Sequence, residues 1–129
     1  MKIVKLLLSV TFLGGILYAC EKSDSGSKIG LEENNITFRA TGDSTIVKTQ
    51  NDYWGISEVY EYITADSAII HGELINKDTI SINWFTIIKL DKAVFVKATP
   101  NNTGKKRDIL LILSKGNYTD QLVVDQEKQ

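Results

Sequence analysis

Four aromatic residues that can stack on sugar rings lie within a window of ten positions, at Tyr53, Trp54, Tyr60 and Tyr62. A tyrosine combines a flat apolar face with a hydroxyl that forms hydrogen bonds, and carbohydrate recognition uses both. Tyr60 and Tyr62 are two positions apart, so a β-strand places them on one face, about 7 Å apart along the strand. Tyr53, Tyr60 and Tyr62 are therefore the candidate ligand-binding residues. Packing in a protein core is an equally good interpretation of Tyr60 and Tyr62.

The two tryptophans of the chain, Trp54 and Trp84, favour a structural interpretation. A protein built from packed β-sheets needs large aromatic side chains between its layers. We therefore predict that both indoles lie in the core, and ligand stacking is the alternative.

Residues suited to metal binding or catalysis are few. His71 and Cys20 are the single histidine and the single cysteine, whereas metal centres and nucleophilic triads need several such groups together. Glu58 and Glu61 are the candidates for a two-carboxylate glycosidase, yet no catalytic signature flanks them, and no glycine-rich phosphate loop is present. The sequence predicts no metal, no cofactor and no enzymatic activity, with a small hydrolase as an alternative.

The first twenty residues, MKIVKLLLSVTFLGGILYAC, have the three parts of an export signal. Lys2 and Lys5 supply the positive charge, and the apolar run over residues 6–17 is shorter than the roughly 20 residues that a membrane-spanning helix needs. The end of this segment, Leu17-Tyr18-Ala19-Cys20, resembles the lipobox of bacterial lipoproteins. That resemblance implies lipidation of the Cys20 sulfur and cleavage just before Cys20. An ordinary secretory signal peptide is the alternative.

The chain is expected to divide into three parts: a signal peptide over residues 1–19, a lipidated Cys20 with a flexible tether to residue 30, and one domain over residues 31–129. The segment EKSDSGSKIG is too poor in apolar residues to bury surface of its own. With the lysines of the signal removed, 13 basic and 16 acidic residues give a net charge of −3. Such a balance argues against nucleic acid as a partner and leaves a membrane, reached through the lipid anchor, as the predicted one.

Three short triads, Asp43-Ser44-Thr45, Asp66-Ser67-Ala68 and Asp78-Thr79-Ile80, resemble the O-glycosylation acceptor motif of Bacteroidetes export proteins. The resemblance implies that the hydroxyls of Ser44, Ser67 and Thr79 are the acceptors. The alternative is that the Asp-Ser and Asp-Thr pairs form turns.

The elements that must position these residues are short strands. Apolar and polar residues alternate in NITFRA, YEYITA and AVFVKAT, and TISINWFTIIKL is rich in isoleucine and threonine. Turn residues separate the runs, and no segment keeps a helical period over eleven positions. This pattern predicts an all-β domain, either a sandwich or a barrel.

The C-terminal part predicts a β-hairpin that ends at Gln126. Residues 109–113 are apolar at every position, and therefore on both faces of a strand, as in a central strand of a sandwich. Lys115-Gly116-Asn117 then turns the chain. In the last strand we expect Tyr118, Leu122 and Val124 to face the core.

The ordered set of Trp54, Trp84, Asn102-Thr103-Gly104, Arg107 and Gln126 is similar to the BACON family, immunoglobulin-like modules of gut Bacteroidetes. The resemblance covers residues 36–127 and implies an immunoglobulin-like β-sandwich, with residues 57–82 as an insertion that forms an extra hairpin. Within this fold we expect structural roles for two residues. Arg107 would donate to several carbonyls of a loop, and Gln126 would pair with backbone at the final sheet edge. Ligand binding is the alternative for both.

These inferences combine into one functional prediction, a lipid-anchored, non-catalytic binding or adaptor module of the bacterial outer membrane, on its periplasmic or cell-surface side. The family resemblance points to glycans as ligands, and envelope proteins are the other predicted partners. A structural spacer or assembly component is one alternative, and a small hydrolase is the other. A glycan binder needs a row of exposed aromatics, a spacer a bland surface, and a hydrolase paired acids in a cleft.

Overall fold

The computed structural model describes residues 29–72 and 77–129, and the predicted signal peptide, Cys20 and most of the predicted tether lie outside these ranges. The described residues form nine strands: β1 (Asn35–Phe38), β2 (Asp43–Lys48), β3 (Gly55–Thr64), β4 (Ser67–Ile70), β5 (Thr79–Ile82), β6 (Phe85–Leu90), β7 (Ala93–Ala98), β8 (Arg107–Lys115) and β9 (Tyr118–Gln126). Within them, no helix is long and apolar enough to cross a membrane.

The strands form two sheets that pack face to face as a β-sandwich, in agreement with the predicted all-β class. One sheet has five strands in the order β1-β9-β8-β3-β4, and the other has four in the order β2-β7-β6-β5. Alternate residues of the central strands point between the sheets and are inaccessible to solvent. The most deeply buried of these core residues are Val59, Ile80, Ile87, Val94, Val96, Ile109, Leu111, Leu113, Leu122 and Val124.

The C-terminal hairpin is present as predicted. Strands β8 and β9 pair antiparallel from Arg107 opposite Gln126 to Lys115 opposite Tyr118, and β8 is a central strand between β9 and β3. The prediction for Tyr118 is wrong, because this residue sits at the turn end of the hairpin and is 38% exposed.

Two strand boundaries differ from the sequence interpretation. The segment TISINWFTIIKL is not one strand but the β5–β6 hairpin, in which Ile82 pairs with Phe85 around Asn83 and Trp84. Asn83 takes a left-handed conformation with φ of 42°, which asparagine tolerates better than most residues. The insertion predicted over residues 57–82 does contain a hairpin, β3–β4, but β3 is a long strand that begins before it, at Gly55.

The first strand adds to the sheet in a way that the sequence does not indicate. Strand β1 runs parallel to β9, with Asn35 opposite Val123 and Phe38 opposite Gln126. As a result β9 is an interior strand, and the predicted sheet edge at Gln126 is wrong. The chain then turns at Gly42, where φ is 83° and a Cβ would lie 2.6 Å from the Ala98 carbonyl oxygen. Only glycine fits this crossing from one sheet to the other.

The folded body begins before Leu31. Ile29 is 2% exposed and belongs to the core. The backbone carbonyls of Ile29 and Gly30 accept hydrogen bonds from the backbone N–H of Gln50. Ile29 and Gly30, which were predicted to belong to the tether, are therefore part of the folded body, because the apolar side chain at position 29 packs in the core.

Candidate functional site

The outer face of the five-stranded sheet carries an open groove of about 370 Å³. Its floor is apolar and includes Leu110 and Val123, and Tyr62 stands at its side. Carboxylate and amide groups from Asp108, Asp125 and Gln121 line the remainder. We call this surface the tyrosine groove.

The strand pattern explains why these side chains face outward. In β8, Ile109, Leu111 and Leu113 are buried in the core, so the residues between them must point to the outer face. Tyr60 lies opposite Leu110, and Tyr62 lies opposite Asp108. The pairing of β3 with β8 therefore sets both tyrosines side by side over an aliphatic floor.

Two carboxylates meet across the hairpin at one end of this groove. Asp108 on β8 lies directly opposite Asp125 on β9, and the Lys106 Nζ lies 3.7 Å from Asp108 Oδ1 and 3.6 Å from Asp125 Oδ2. Burial raises the pKa of the Asp108 carboxyl, and the neighbouring Asp125 raises the pKa further, against the opposing effect of Lys106. The sequence did not indicate this pair, because the two residues are 17 positions apart.

Tyr60 is held by a neighbour on the same face. Its hydroxyl donates to the Glu58 Oε2, and this hydrogen bond to a carboxylate raises the pKa of the phenol. The contact links positions two apart on β3, as expected for adjacent side chains on one face of a strand. The hydrogen bond to Glu58 therefore holds the Tyr60 side chain in place on the outer face of the sheet.

A polar cluster lies on the inner side of β3, behind the groove. Glu61 is only 8% exposed, and both of its carboxylate oxygens have partners. The Trp84 Nε1 donates to Oε1 at 3.0 Å, and the His71 Nε2 lies 3.0 Å from Oε2. The contact between His71 and Glu61 is not visible from the residues adjacent to His71 in the sequence. The β3–β4 hairpin supplies Glu61 from ten positions away.

The remaining sequence candidates for catalysis do not converge. Glu58 is exposed on the outer face of β3, and Glu61 is buried on the inner face, so the two carboxylates cannot flank one glycosidic bond. Within residues 29–72 and 77–129, no group of three or more histidine, cysteine or acidic residues is placed to hold a metal ion.

The structure separates the three candidate tyrosines. Tyr60 is half-buried and Tyr62 is 37% exposed on the groove side, whereas Tyr53 is 85% exposed in the turn that precedes β3. Tyr53 precedes β3 and Tyr60 lies in the middle of that strand, so the two are seven positions apart, which corresponds to roughly 20 Å of extended chain. Tyr53 therefore does not share a binding surface with the other two tyrosines.

Both tryptophans lie in the core, at 2% exposure for Trp54 and 4% for Trp84. Trp54 donates its indole N–H to the Thr49 Oγ1 at 3.3 Å, and Trp84 packs edge-on against Phe85. This is where the sequence placed them. The indole N–H groups have polar partners, which buried tryptophans usually require.

Arg107 and Gln126 contact the loop between β7 and β8. The Arg107 guanidinium lies 5.0 Å from the centre of the Trp84 ring and donates to one carbonyl, that of Pro100, at 2.8 Å. We expected Arg107 to donate to several carbonyls. It donates to one, and its guanidinium contacts the Trp84 ring. The Gln126 Nε2 donates to the carbonyls of Arg39 and Thr99, which is the backbone pairing we expected.

The three predicted O-glycosylation acceptors are surface residues. Ser44 lies in β2, Ser67 begins β4 and Thr79 begins β5, and all three side chains are exposed. The turn alternative describes them in part, because Asp66 lies in the turn before β4 and Asp78 in a bend before β5, whereas Asp43 belongs to β2. Their modification stays a prediction.

Comparisons with known proteins add a likeness in fold. No family model matches the chain, and no curated protein matches it. A solved structure described as the NMR structure of a protein from Bacteroides thetaiotaomicron is similar, with a TM-score of 0.62 and 20% sequence identity. The match covers 81% of this chain and 86% of that chain. At this identity the likeness concerns the fold alone.

The carboxylate pair generates a prediction about proton binding. Replacing Asp125 by Asn removes a negative charge beside Asp108 and leaves Lys106 to pair with Asp108 alone. We expect the pKa of Asp108 to fall, although not to that of a solvated aspartate, because burial is the largest cause of its rise. Carboxyl ¹³C NMR titration measures this pKa directly. The exposed Asp43 on β2 provides the control as Asp43→Asn, and an Asp108 pKa that is identical in both variants would contradict the account.

Proposed function

We propose that the protein is a lipid-anchored, non-catalytic module of a bacterial envelope that binds glycans through the tyrosine groove. The observation that carries this proposal is the placement of Tyr60 and Tyr62 on one exposed sheet face, beside a groove with an apolar floor and a polar rim. A sugar has an apolar ring face and a hydroxyl edge, so this lining suits both parts of the ligand. The carboxylates of Asp108 and Asp125 are acceptors for sugar hydroxyls.

The cellular setting rests on the N-terminal sequence and on the resemblance to BACON modules. Cys20 would carry the lipid, with the chain anchored at the outer membrane and the sandwich held outside the bilayer. The likeness in fold to a Bacteroides protein supports the β-sandwich part of this proposal and no more. Neither tryptophan is available for stacking, so Tyr62 in the groove lining and Tyr60 beside the groove on the same sheet face would carry the aromatic contact.

A specific observation favours the second candidate, an assembly component. Strand β4 lies at the edge of the five-stranded sheet and contains no charged residue. Ile63, Ile69 and Ile70 of the β3–β4 hairpin are each about half exposed, between 47% and 62%. Apolar edge strands can accept a strand from another protein, so this hairpin would be the contact in an envelope complex.

The third candidate is a hydrolase, which would use the Asp108–Asp125 pair. Neighbouring carboxylates of which one holds a proton are the arrangement of acid-dyad enzymes. In this protein Lys106 lies within ion-pair distance of both carboxylates, which stabilises their ionised forms and disfavours a dyad mechanism. Binding without chemistry is therefore the function that the groove supports best.

The binding proposal predicts separate effects on affinity and stability. Tyr60→Ala and Tyr62→Ala should each weaken glycan binding by about tenfold, because each removes one stacking ring. Both residues face outward, so the free energy of unfolding should change by less than about 1 kcal/mol. The measurement is a screen of the detergent-solubilised chain on host and plant glycans, followed by calorimetry on the best ligand.

Tyr53→Ala is the matched control, since this tyrosine is exposed but lies outside the groove. Absence of binding to every glycan at millimolar concentration would favour the assembly component. Unaltered affinity in a folded variant that carries both Tyr60→Ala and Tyr62→Ala would place any glycan site elsewhere. Shortened glycans after incubation would favour the hydrolase.

The anchor generates its own prediction. Cells that express the wild-type chain and are fed a labelled fatty acid should incorporate label into the protein, and Cys20→Ala should abolish it, because Cys20 is the single cysteine of the sequence. A several-chain lipid would hold the protein in the membrane fraction at about 0.8 kcal/mol per buried methylene. Equal labelling of the two proteins would show that Cys20 is not the lipidation site.

A further inference from the structure

A second groove, of about 280 Å³, lies on the other side of Tyr62, between the end of β3 and the loop that precedes β8. Tyr62, Ile63 and Trp84 provide its apolar walls, and Lys105, Lys106 and Arg107 line its opposite side. We call it the basic groove. It is distinct from the tyrosine groove, with which it shares the ring of Tyr62.

Arg107 carries a charge that no carboxylate of the described structure neutralises at ion-pair distance. The residue is half-buried and lies against the Trp84 ring. Within the described ranges no carboxylate lies at ion-pair distance from it, and its Nε is buried without a hydrogen-bond partner. Burial lowers the pKa of the guanidinium, and the field of Glu61 opposes this. A partly desolvated cation without a counter-ion is costly, and an anion from solution would offset that cost.

The other charges around the basic groove leave it positive. Lys105 is exposed and has no ion-pair partner in the described part of the chain, and Lys106 shares its charge with Asp108 and Asp125 outside the groove. Glu61 is the one acid in the lining, and its two oxygens are occupied by Trp84 and His71. Complementarity therefore favours an anionic ligand.

We propose that the basic groove binds an oxyanion, a carboxylate or a sulfate group, carried on a ring that packs against the exposed side chains of Tyr62 and Ile63. The planar guanidinium of Arg107 matches the geometry of such a group, and Lys105 adds a second cation at the rim. This site goes beyond the glycan proposal and does not depend on it, because neither Tyr60 nor the floor of the tyrosine groove takes part.

The indoles provide the readout. The chain has two tryptophans and therefore two indole N–H signals in a ¹⁵N spectrum. Trp84 lines the basic groove, whereas Trp54 donates to Thr49 elsewhere in the core. Sodium sulfate and sodium glucuronate, titrated at constant ionic strength into the detergent-solubilised full chain, should shift the Trp84 signal to saturation and leave the Trp54 signal in place. Glucose, the uncharged match of glucuronate, should shift neither.

Three variants distinguish anion binding at a specific site from unspecific attraction to positive charge. Arg107→Lys should weaken anion binding by about tenfold, because the forked hydrogen bonds are lost. Lys105→Gln, an exposed change that leaves the fold intact, should weaken it several-fold, whereas the control Lys97→Gln on β7 should leave it unaltered. Saturation by either anion supports the site, and the tighter one identifies the group. Shifts that never saturate, or equal affinity in Lys105→Gln and Lys97→Gln, would overturn the proposal.

Discussion

The buried carboxylate of Glu61 is the interaction on which the surfaces described above depend. A charged group with so little exposure is tolerated only when its hydrogen-bonding capacity is used, and Glu61 meets this condition with the indole of Trp84 and the ring of His71. Trp84 belongs to the four-stranded layer, and His71 follows the edge strand of the other. One carboxylate therefore joins the end of the β3–β4 hairpin to the opposite sheet.

The Glu61 contact also helps to position side chains in or beside both grooves. Trp84, held by Glu61, supports the guanidinium of Arg107, and Arg107 in turn binds the carbonyl of Pro100 in the neighbouring loop. On the outer side of the same strand, Tyr60 and Tyr62 keep their positions because Glu61 and Val59 are fixed in the interior. Acidic groups lie on one side of Tyr62 and basic groups on the other. A ligand with both neutral and anionic parts would find complementary surfaces next to each other.

Local patterns allowed much of the fold to be predicted, whereas the polar sites depend on pairing that such patterns do not encode. The apolar run from Ile109 to Leu113 predicts a central strand wherever it occurs, and both tryptophans are core residues for their size alone. Asp108 meets Asp125 only because a turn sets the register of β8 and β9. Glu61 meets His71 only because the β3–β4 hairpin folds back.

Native-state hydrogen exchange on Glu61→Ala, with the exposed Glu58→Ala as the control on the same strand, is the most direct test of this role for Glu61. Removing the carboxylate leaves the buried indole N–H of Trp84 without its acceptor, at a cost of about 1–3 kcal/mol, and removes the contact between Glu61 and His71. The account predicts faster exchange for the amides of β4, of His71 and of the second half of β3 in Glu61→Ala, with β6 and β7 still protected. Equal protection of the hairpin in the two variants would show that Glu61 does not hold it in place.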